Sequence, residues 1–253
     1  MKPLESSLGL QSLALGLQSV GYFIAGCIAI GKSKNDGSTL AVLGSFGIIA
    51  GLLFFWSAWE IQRALQATAL PAISSAATTS AAAPTPPSTE EELSGFKTAY
   101  RNTQGHALQQ LMATFFLLGG TFMALAHLTR GNGGLKALGT LGLLFTLIAN
   151  FFGCVHVNGV VQHAQSKLTQ RPIITWFKIP LISYGVSGGG AFMNLITLFN
   201  YTTGVRAVTG MVDFAAMIVL LSAAMHYGFY FRALRNSGAH QALVTPSTVP
   251  TRY

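Results

Sequence analysis

Charged side chains are scarce in this sequence. Lys, Arg, Asp and Glu make up 9% of the 253 residues, whereas an average soluble domain has about 25%. Only seven residues are acidic, and the apolar stretches hold no pair of carboxylates of the kind that acid–base hydrolysis requires. The sequence therefore argues against a soluble enzyme, and we expect no catalytic residues.

Cysteine is also rare. Cys27 and Cys154 each lie inside an apolar stretch, which excludes a disulfide framework and a cysteine-based metal site. Histidines at 127, 156, 163 and 226 stand at or near the ends of apolar stretches. Membrane cytochromes hold haem between histidines, but no pair here has a convincing mid-membrane position. We expect no metal and no cofactor, and a haem protein stays a minor alternative.

Long apolar runs are what the sequence has in abundance. Hydrophobic residues make up 51% of the chain and the mean hydropathy is +0.49. Six windows reach the length of about 20 residues that a membrane-crossing helix needs. They are 8–31, 40–59, 108–128, 135–155, 179–199 and 207–230. The sequence predicts an all-α integral membrane protein with six transmembrane helices, whose first partner is the lipid bilayer.

The net charge of +8 does not indicate nucleic-acid binding, because Lys and Arg stand singly beside the apolar windows and form no patch with interleaved aromatics. Ten of them fall on the side that both termini share and five on the other. Cytoplasmic loops carry an excess of Lys and Arg. We therefore expect both termini in the cytoplasm, in a plasma membrane or a bacterial inner membrane.

A short motif recurs along the chain. LGSFG at 43–47 matches LGTLG at 138–142, with a fainter echo at Thr209 and Gly210. The repeat predicts three helical hairpins around a common axis, although such glycines also serve close helix packing. The expected units are a first hairpin at 1–64, an Ala/Ser/Thr/Pro-rich flexible linker at 65–98, hairpins at 99–166 and 167–234, and a disordered tail at 235–253.

Three polar residues inside apolar windows are functional candidates. Thr146 and Asn150 lie one turn apart in the fourth window, and an amide without a partner costs roughly 4–8 kcal/mol in hydrocarbon. Asn150 should therefore face protein or a water-filled path. Asp213 is the single acid inside an apolar window. It is either a functional carboxyl at membrane depth, where burial favours the neutral form, or an interfacial residue near Arg206.

Segments of several helices look familiar. GLLFTL at 142–147 and FFG at 151–153 resemble the fourth helix of the acetate uptake transporter family. VGYF at 20–23, AGLL at 50–53 and Gly210 with Ala224 and Met225 fall where that family has similar residues. The segment 34–39 and Asp213 are similar to the urea and amide channels. Both resemblances imply three hairpins per subunit, one pore in each protomer, and a homo-oligomer, a hexamer by family resemblance.

These observations together predict a channel or transporter for a small solute, acetate or a similar short monocarboxylate. The expected pathway residues are Tyr22, Phe23, Thr146, Asn150 and Asp213. The aromatic rings would form a hydrophobic constriction, with polar groups beside it. Proton coupling would most simply use Asp213, or the solute would cross protonated. The alternatives are a urea or amide channel and a non-transporting structural subunit of a larger membrane complex.

Overall fold

The computed structural model describes residues 2–33, 37–66, 105–129, 132–158 and 178–244. Their long elements are α1 (Lys2–Gly31), α2 (Ser38–Gln66), α3 (Gly105–Leu128), α4 (Asn132–His156), α5 (Lys178–Phe199) and α6 (Thr203–Val244). Each predicted apolar window lies within one of them. All six helices are long and apolar enough to cross a membrane. The predicted helices are confirmed, and within the described ranges the fold is all-helical.

Local sequence explains where these helices begin and turn. Pro3 and Pro180 stand in the first turns of α1 and α5, where the missing N–H costs nothing. Gly37 precedes α2 with a φ of 74°, a backbone conformation that glycine adopts without steric cost. The turn between α5 and α6 is shorter than the turn between α1 and α2. Only Asn200, Tyr201 and Thr202 lie between α5 and α6.

The six helices form a closed ring. Each packs against its neighbours in sequence, and α6 returns to pack against α1. Neighbouring helices are antiparallel: Ser7 at the start of α1 meets Ser57 near the end of α2. Gly26 near the end of α1 meets Gly210 near the start of α6. We call the end of the ring that holds Ser7 the terminal end, and the end that holds Tyr201 the loop end.

Glycines set the closest helix contacts. A methyl group on Gly44 would lie 2.7 Å from the Gly120 carbonyl oxygen, between α2 and α3. A methyl group on Gly119 would lie 2.8 Å from the Gly142 carbonyl oxygen, between α3 and α4. Such close backbone approach is typical of small residues between membrane helices. Gly44 and Gly142 belong to the repeated motif, so close packing is one role of that motif.

The predicted linker and the predicted tail each lie partly within a helix and partly outside the described residues. Helix α6 continues to Val244, so the prediction of disorder is wrong for 235–244. Extending an existing helix needs no new nucleation, and this segment contains good helix formers such as Arg235, Ala239 and Leu243. In the predicted linker, Leu65 and Gln66 belong to α2. Residues 67–98 of the linker and 245–253 of the tail lie outside the described ranges.

Candidate solute pathway

Helix α1 turns a polar stripe toward the inside of the ring. Ser7, Gln11, Gln18 and Tyr22 are spaced by four, seven and four residues, which places them on one helix face. All four are buried. On the outer surface of the same helix, large apolar side chains such as Leu13 and Val20 are exposed. The helix is therefore apolar outside and partly polar inside.

Tyr22 and Asn150 are linked through helix α5. The Tyr22 hydroxyl donates to the Ser187 carbonyl oxygen at 2.7 Å. The Ser187 hydroxyl donates to Asn150 Oδ1, and Asn150 Nδ2 donates to the Thr146 carbonyl oxygen at 2.9 Å. As expected, the Asn150 amide faces protein, and hydrogen bonds satisfy both of its polar atoms.

Asp213 lies inside the ring, in the contact between α5 and α6. Its side chain is 0% exposed, so it is not an exposed residue of the polar loop. Asn194 Nδ2 lies 3.0 Å from Asp213 Oδ1 and 3.3 Å from Oδ2, and it also donates to the Gly190 carbonyl oxygen at 2.9 Å. Close by, the Thr197 and Thr209 hydroxyls pair across the same contact at 2.6 Å.

Gly190 brings Tyr22 and Asp213 to the same place. A methyl group on Gly190 would lie 2.7 Å from Tyr22 Cε1 and 3.1 Å from Asp213 Oδ1. Any side chain here would therefore displace the ring or the carboxyl group. Because Gly190 has no side chain, polar groups from α1, α4, α5 and α6 can approach a common region.

Phe23 does not belong to this group. It is 47% exposed and its ring lies 5.9 Å from that of Phe214. Consecutive helical residues point about 100° apart, so burying Tyr22 turns Phe23 outward. The prediction for Phe23 is wrong. A different aromatic pair lies inside: Phe54 and Phe116 are buried and stack with ring centroids 5.8 Å apart.

A small cavity lies at the middle of the ring. Side chains from five helices line it, including Tyr22, Phe46, Phe116, Thr146 and Ala191. The volume open to the centres of water molecules is about 20 Å³, and roughly 10–15 Å³ is needed for one water. Thr146 is one of the residues that line this cavity, although its hydroxyl bonds to the Gly142 carbonyl oxygen of its own helix.

A second polar group, which sequence reasoning missed, lies at the terminal end. It consists of Ser7, Gln11, Ser57 and Gln109 from helices α1, α2 and α3, and we call it the terminal cluster. Ser187 and Asn194 on α5 were missed as well. Their spacing of seven residues, like the polar stripe of α1, was a signal in the sequence that these side chains share a helix face.

Neither metal ligands nor known relatives add to this picture. In the part of the chain that the structure describes, no three His, Cys, Asp or Glu side chains come together to hold a metal ion. His156 and His226 are buried near the terminal end of the ring. No family model, curated protein or solved structure matches the chain. The geometry of the ring is therefore the basis for a functional assignment.

Proposed function

We propose that this chain is a membrane channel or transporter for a small solute, acetate or a similar short monocarboxylate in its acid or anionic form. The observation that carries the proposal is the polar interior of an apolar-surfaced ring. Buried polar side chains line the inward stripe of α1 and reach it from α4, α5 and α6. Polar groups that are buried within membrane helices commonly mark substrate pathways.

The alternative of a purely structural subunit explains less of this arrangement. A packing subunit needs close helix contacts, and the glycines of α2, α3 and α4 supply them. It does not need polar side chains that converge from four helices around Gly190. Burying polar groups removes them from water, and the hydrogen bonds that they form within the ring largely only offset that loss. A lining of this kind therefore supports a role with a solute.

The stacked rings of Phe54 and Phe116 would form the barrier of this pathway. Phe116 lines the central cavity. Ser57 lies one turn beyond Phe54, and Gln109 lies two turns before Phe116, so the aromatic pair lies between the terminal cluster and the cavity. Hydrophobic constrictions control passage by excluding water. The pair thus takes the role first expected of Phe23.

Insertion into a bilayer, the cytoplasmic termini and the homohexamer are parts of the same proposal. Six membrane-length helices support insertion. The ten Lys and Arg on the side of the termini, against five opposite, support the orientation. The hexamer rests on the resemblance to the acetate uptake transporter family.

The test is uptake of labelled acetate and labelled urea into liposomes that contain the purified full chain. Asn150→Leu removes the oxygen that accepts from the Ser187 hydroxyl and makes the pathway locally apolar. We expect uptake to fall by about tenfold or more, the effect of about 1.4 kcal/mol on a rate. Thr121→Val is the control, because Thr121 is exposed and bonds only to its own helix at 2.8 Å.

The outcomes separate the alternatives. Acetate uptake above that of empty liposomes, reduced by Asn150→Leu and unchanged by Thr121→Val, supports the proposal. Urea uptake with the same response would favour the urea or amide channel. If neither solute enters faster than in empty liposomes, the chain is better described as a structural subunit.

A further inference from the structure

The terminal cluster has a chemistry that differs from the rest of the interior. Its members Ser7, Gln11, Ser57 and Gln109 come from three helices, and all four side chains are buried. All four are also uncharged. The cluster lies at the terminal end, on the far side of the Phe54–Phe116 pair from the central cavity. A solute that enters from the terminal end would meet it before the aromatic barrier.

Most polar atoms in the cluster are satisfied. Ser57 Oγ accepts from Gln109 Nε2 at 2.7 Å and from Gln11 Nε2 at 3.2 Å, and it donates to the Ser7 carbonyl oxygen at 3.1 Å. The Ser7 and Ser57 hydroxyl oxygens also lie 2.7 Å apart. Together these bonds fix the hydroxyl of Ser57 at the centre of the group.

One atom is left over. Gln109 is 0% exposed, and its Oε1 atom is buried without a hydrogen-bond partner. In this orientation of the amide, Nε2 lies 2.7 Å from Ser57 Oγ and 3.5 Å from the Phe54 carbonyl oxygen, which can only accept. The unpartnered atom is therefore an acceptor, and it requires a donor. Buried acceptors without a donor are rare in folded proteins.

The chemistry of this acceptor selects among solutes. An undissociated carboxylic acid offers an O–H donor and a primary amide offers N–H donors, whereas a carboxylate has acceptors only. A carboxylate would also place its charge against the oxygen of Gln109. The basic residue nearest in sequence to the cluster on α2 is Arg63, whose side chain is 63% exposed and lies 3.7 Å from Glu60. The four members of the cluster, as the structure describes them, therefore include no cation to compensate an anion.

We propose that the terminal cluster is a binding site for an uncharged solute that carries an O–H or N–H donor, namely a short undissociated carboxylic acid or its amide. The inference rests on the proposed function and specifies the species that crosses. The proton then travels with the acid itself. Asp213, held by Asn194 on the other side of the ring, is not needed as a proton carrier.

The experiment compares labelled acetamide with labelled acetate in liposomes containing the full chain, with the leak of empty liposomes subtracted. Acetamide has the shape of acetic acid but stays uncharged throughout the pH range. Above the pKa of the acid, we expect acetate entry to fall by about tenfold per pH unit, as its undissociated fraction does. Acetamide entry should not change with pH.

The variant Gln109→Met removes the acceptor and keeps the length of the side chain. We expect it to lower acetamide entry at least about fivefold, since solute hydrogen bonds typically account for such factors. Gln110→Met is the matched control: Gln110 donates to Gln62 Oε1 at 3.4 Å across the same two helices but outside the cluster. If Gln109→Met does not fold, Ser57→Ala takes its place. It keeps the acceptor but removes the hydroxyl that holds the Gln109 amide in position, so we again expect a loss of acetamide entry.

Three results would overturn the inference. A rate of acetate entry that equals the rate of acetamide entry and does not change with pH would show that the anion crosses. Acetamide entry as fast as in the wild type, in Gln109→Met or in Ser57→Ala where that variant replaces it, would show that the solute does not bind at the terminal cluster. If neither solute enters, the proposed function fails. Saturation-transfer NMR with acetamide and the purified chain then decides on the site, which is overturned if wild type and Gln109→Met give the same signal.

Discussion

The two sides of the ring are held together by different physical means. Between α2, α3 and α4 the contacts are made by glycines, with Gly44 facing Gly120 and Gly119 facing Gly142. Between α5 and its neighbours, polar side chains bond across the contact, although Gly153 of α4 also lies close against the ring of Tyr184. There, Ser187 bonds to Asn150 on α4, and Asn194 bonds to Asp213 on α6.

This difference separates what is sterically fixed from what can be exchanged. A glycine contact places two backbones so close that any added atom must move a helix. A hydrogen bond between side chains, by contrast, can be broken and remade with a solute or water. We therefore expect exchange with a solute where polar side chains form the contacts, which is at α5 and in the terminal cluster. The glycine contacts of α2, α3 and α4 are the frame that supports both.

The largest expected effect comes from breaking the glycine side. In Gly120→Ala the new methyl group would lie 2.6 Å from the Gly44 carbonyl oxygen and 2.7 Å from the Ile48 amide nitrogen. Because both are backbone atoms, we expect a loss of about 3 kcal/mol in the free energy of unfolding, the upper end of overpacking costs. Thermal unfolding in detergent measures it.

Gly189→Ala is the control for this prediction, because a methyl group there meets nothing within 4 Å. It should leave stability unchanged or raise it by up to about 1 kcal/mol, the helix preference of alanine over glycine. Equal destabilisation by both variants would contradict the assignment of the frame to the glycine side.

A smaller effect is expected on the polar side. Asn194→Leu removes the amide that holds both carboxyl oxygens of Asp213, which leaves a buried carboxyl group without that donor. We expect a loss of about 2 kcal/mol in the free energy of unfolding. The double variant Asn194→Leu with Asp213→Leu should recover part of that loss, because no polar group is then left unpaired. An additive loss in the double variant would show that the two residues do not act as a pair.

The smallest effect is expected from the hydroxyl pair beside it. In Thr197→Val the hydrogen bond to Thr209 is lost. The Thr209 hydroxyl still donates to the carbonyl oxygen of Val205 in its own helix, at 2.9 Å. Hydrogen bonds between membrane helices average about 0.6 kcal/mol, and we expect a loss of that size. A double-mutant cycle with Thr209→Val measures the coupling energy. A value near zero would show that this hydroxyl pair does not help to hold α5 against α6.

Sequence reasoning located some of the interior residues and missed others for a physical reason. Asn150 and Asp213 stood out because a single polar group in a long apolar helix is costly wherever it points. Phe23 was assigned to the wrong face because an aromatic side chain can occupy either the inner or the outer face of such a helix. The Phe54–Phe116 pair and Gln109 become significant only when α2 and α3 are placed side by side.

The sequence by itself determined the six apolar segments that become membrane-length helices in the described ranges, because length and hydrophobicity act within each segment and need no partner. It also determined that glycines would mark close contacts. The tertiary structure alone decided which faces point inward, that α6 closes the ring on α1, and that Gln109 Oε1 is left without a donor. These features depend on distances between residues far apart in the chain, which the periodicity of one helix does not contain.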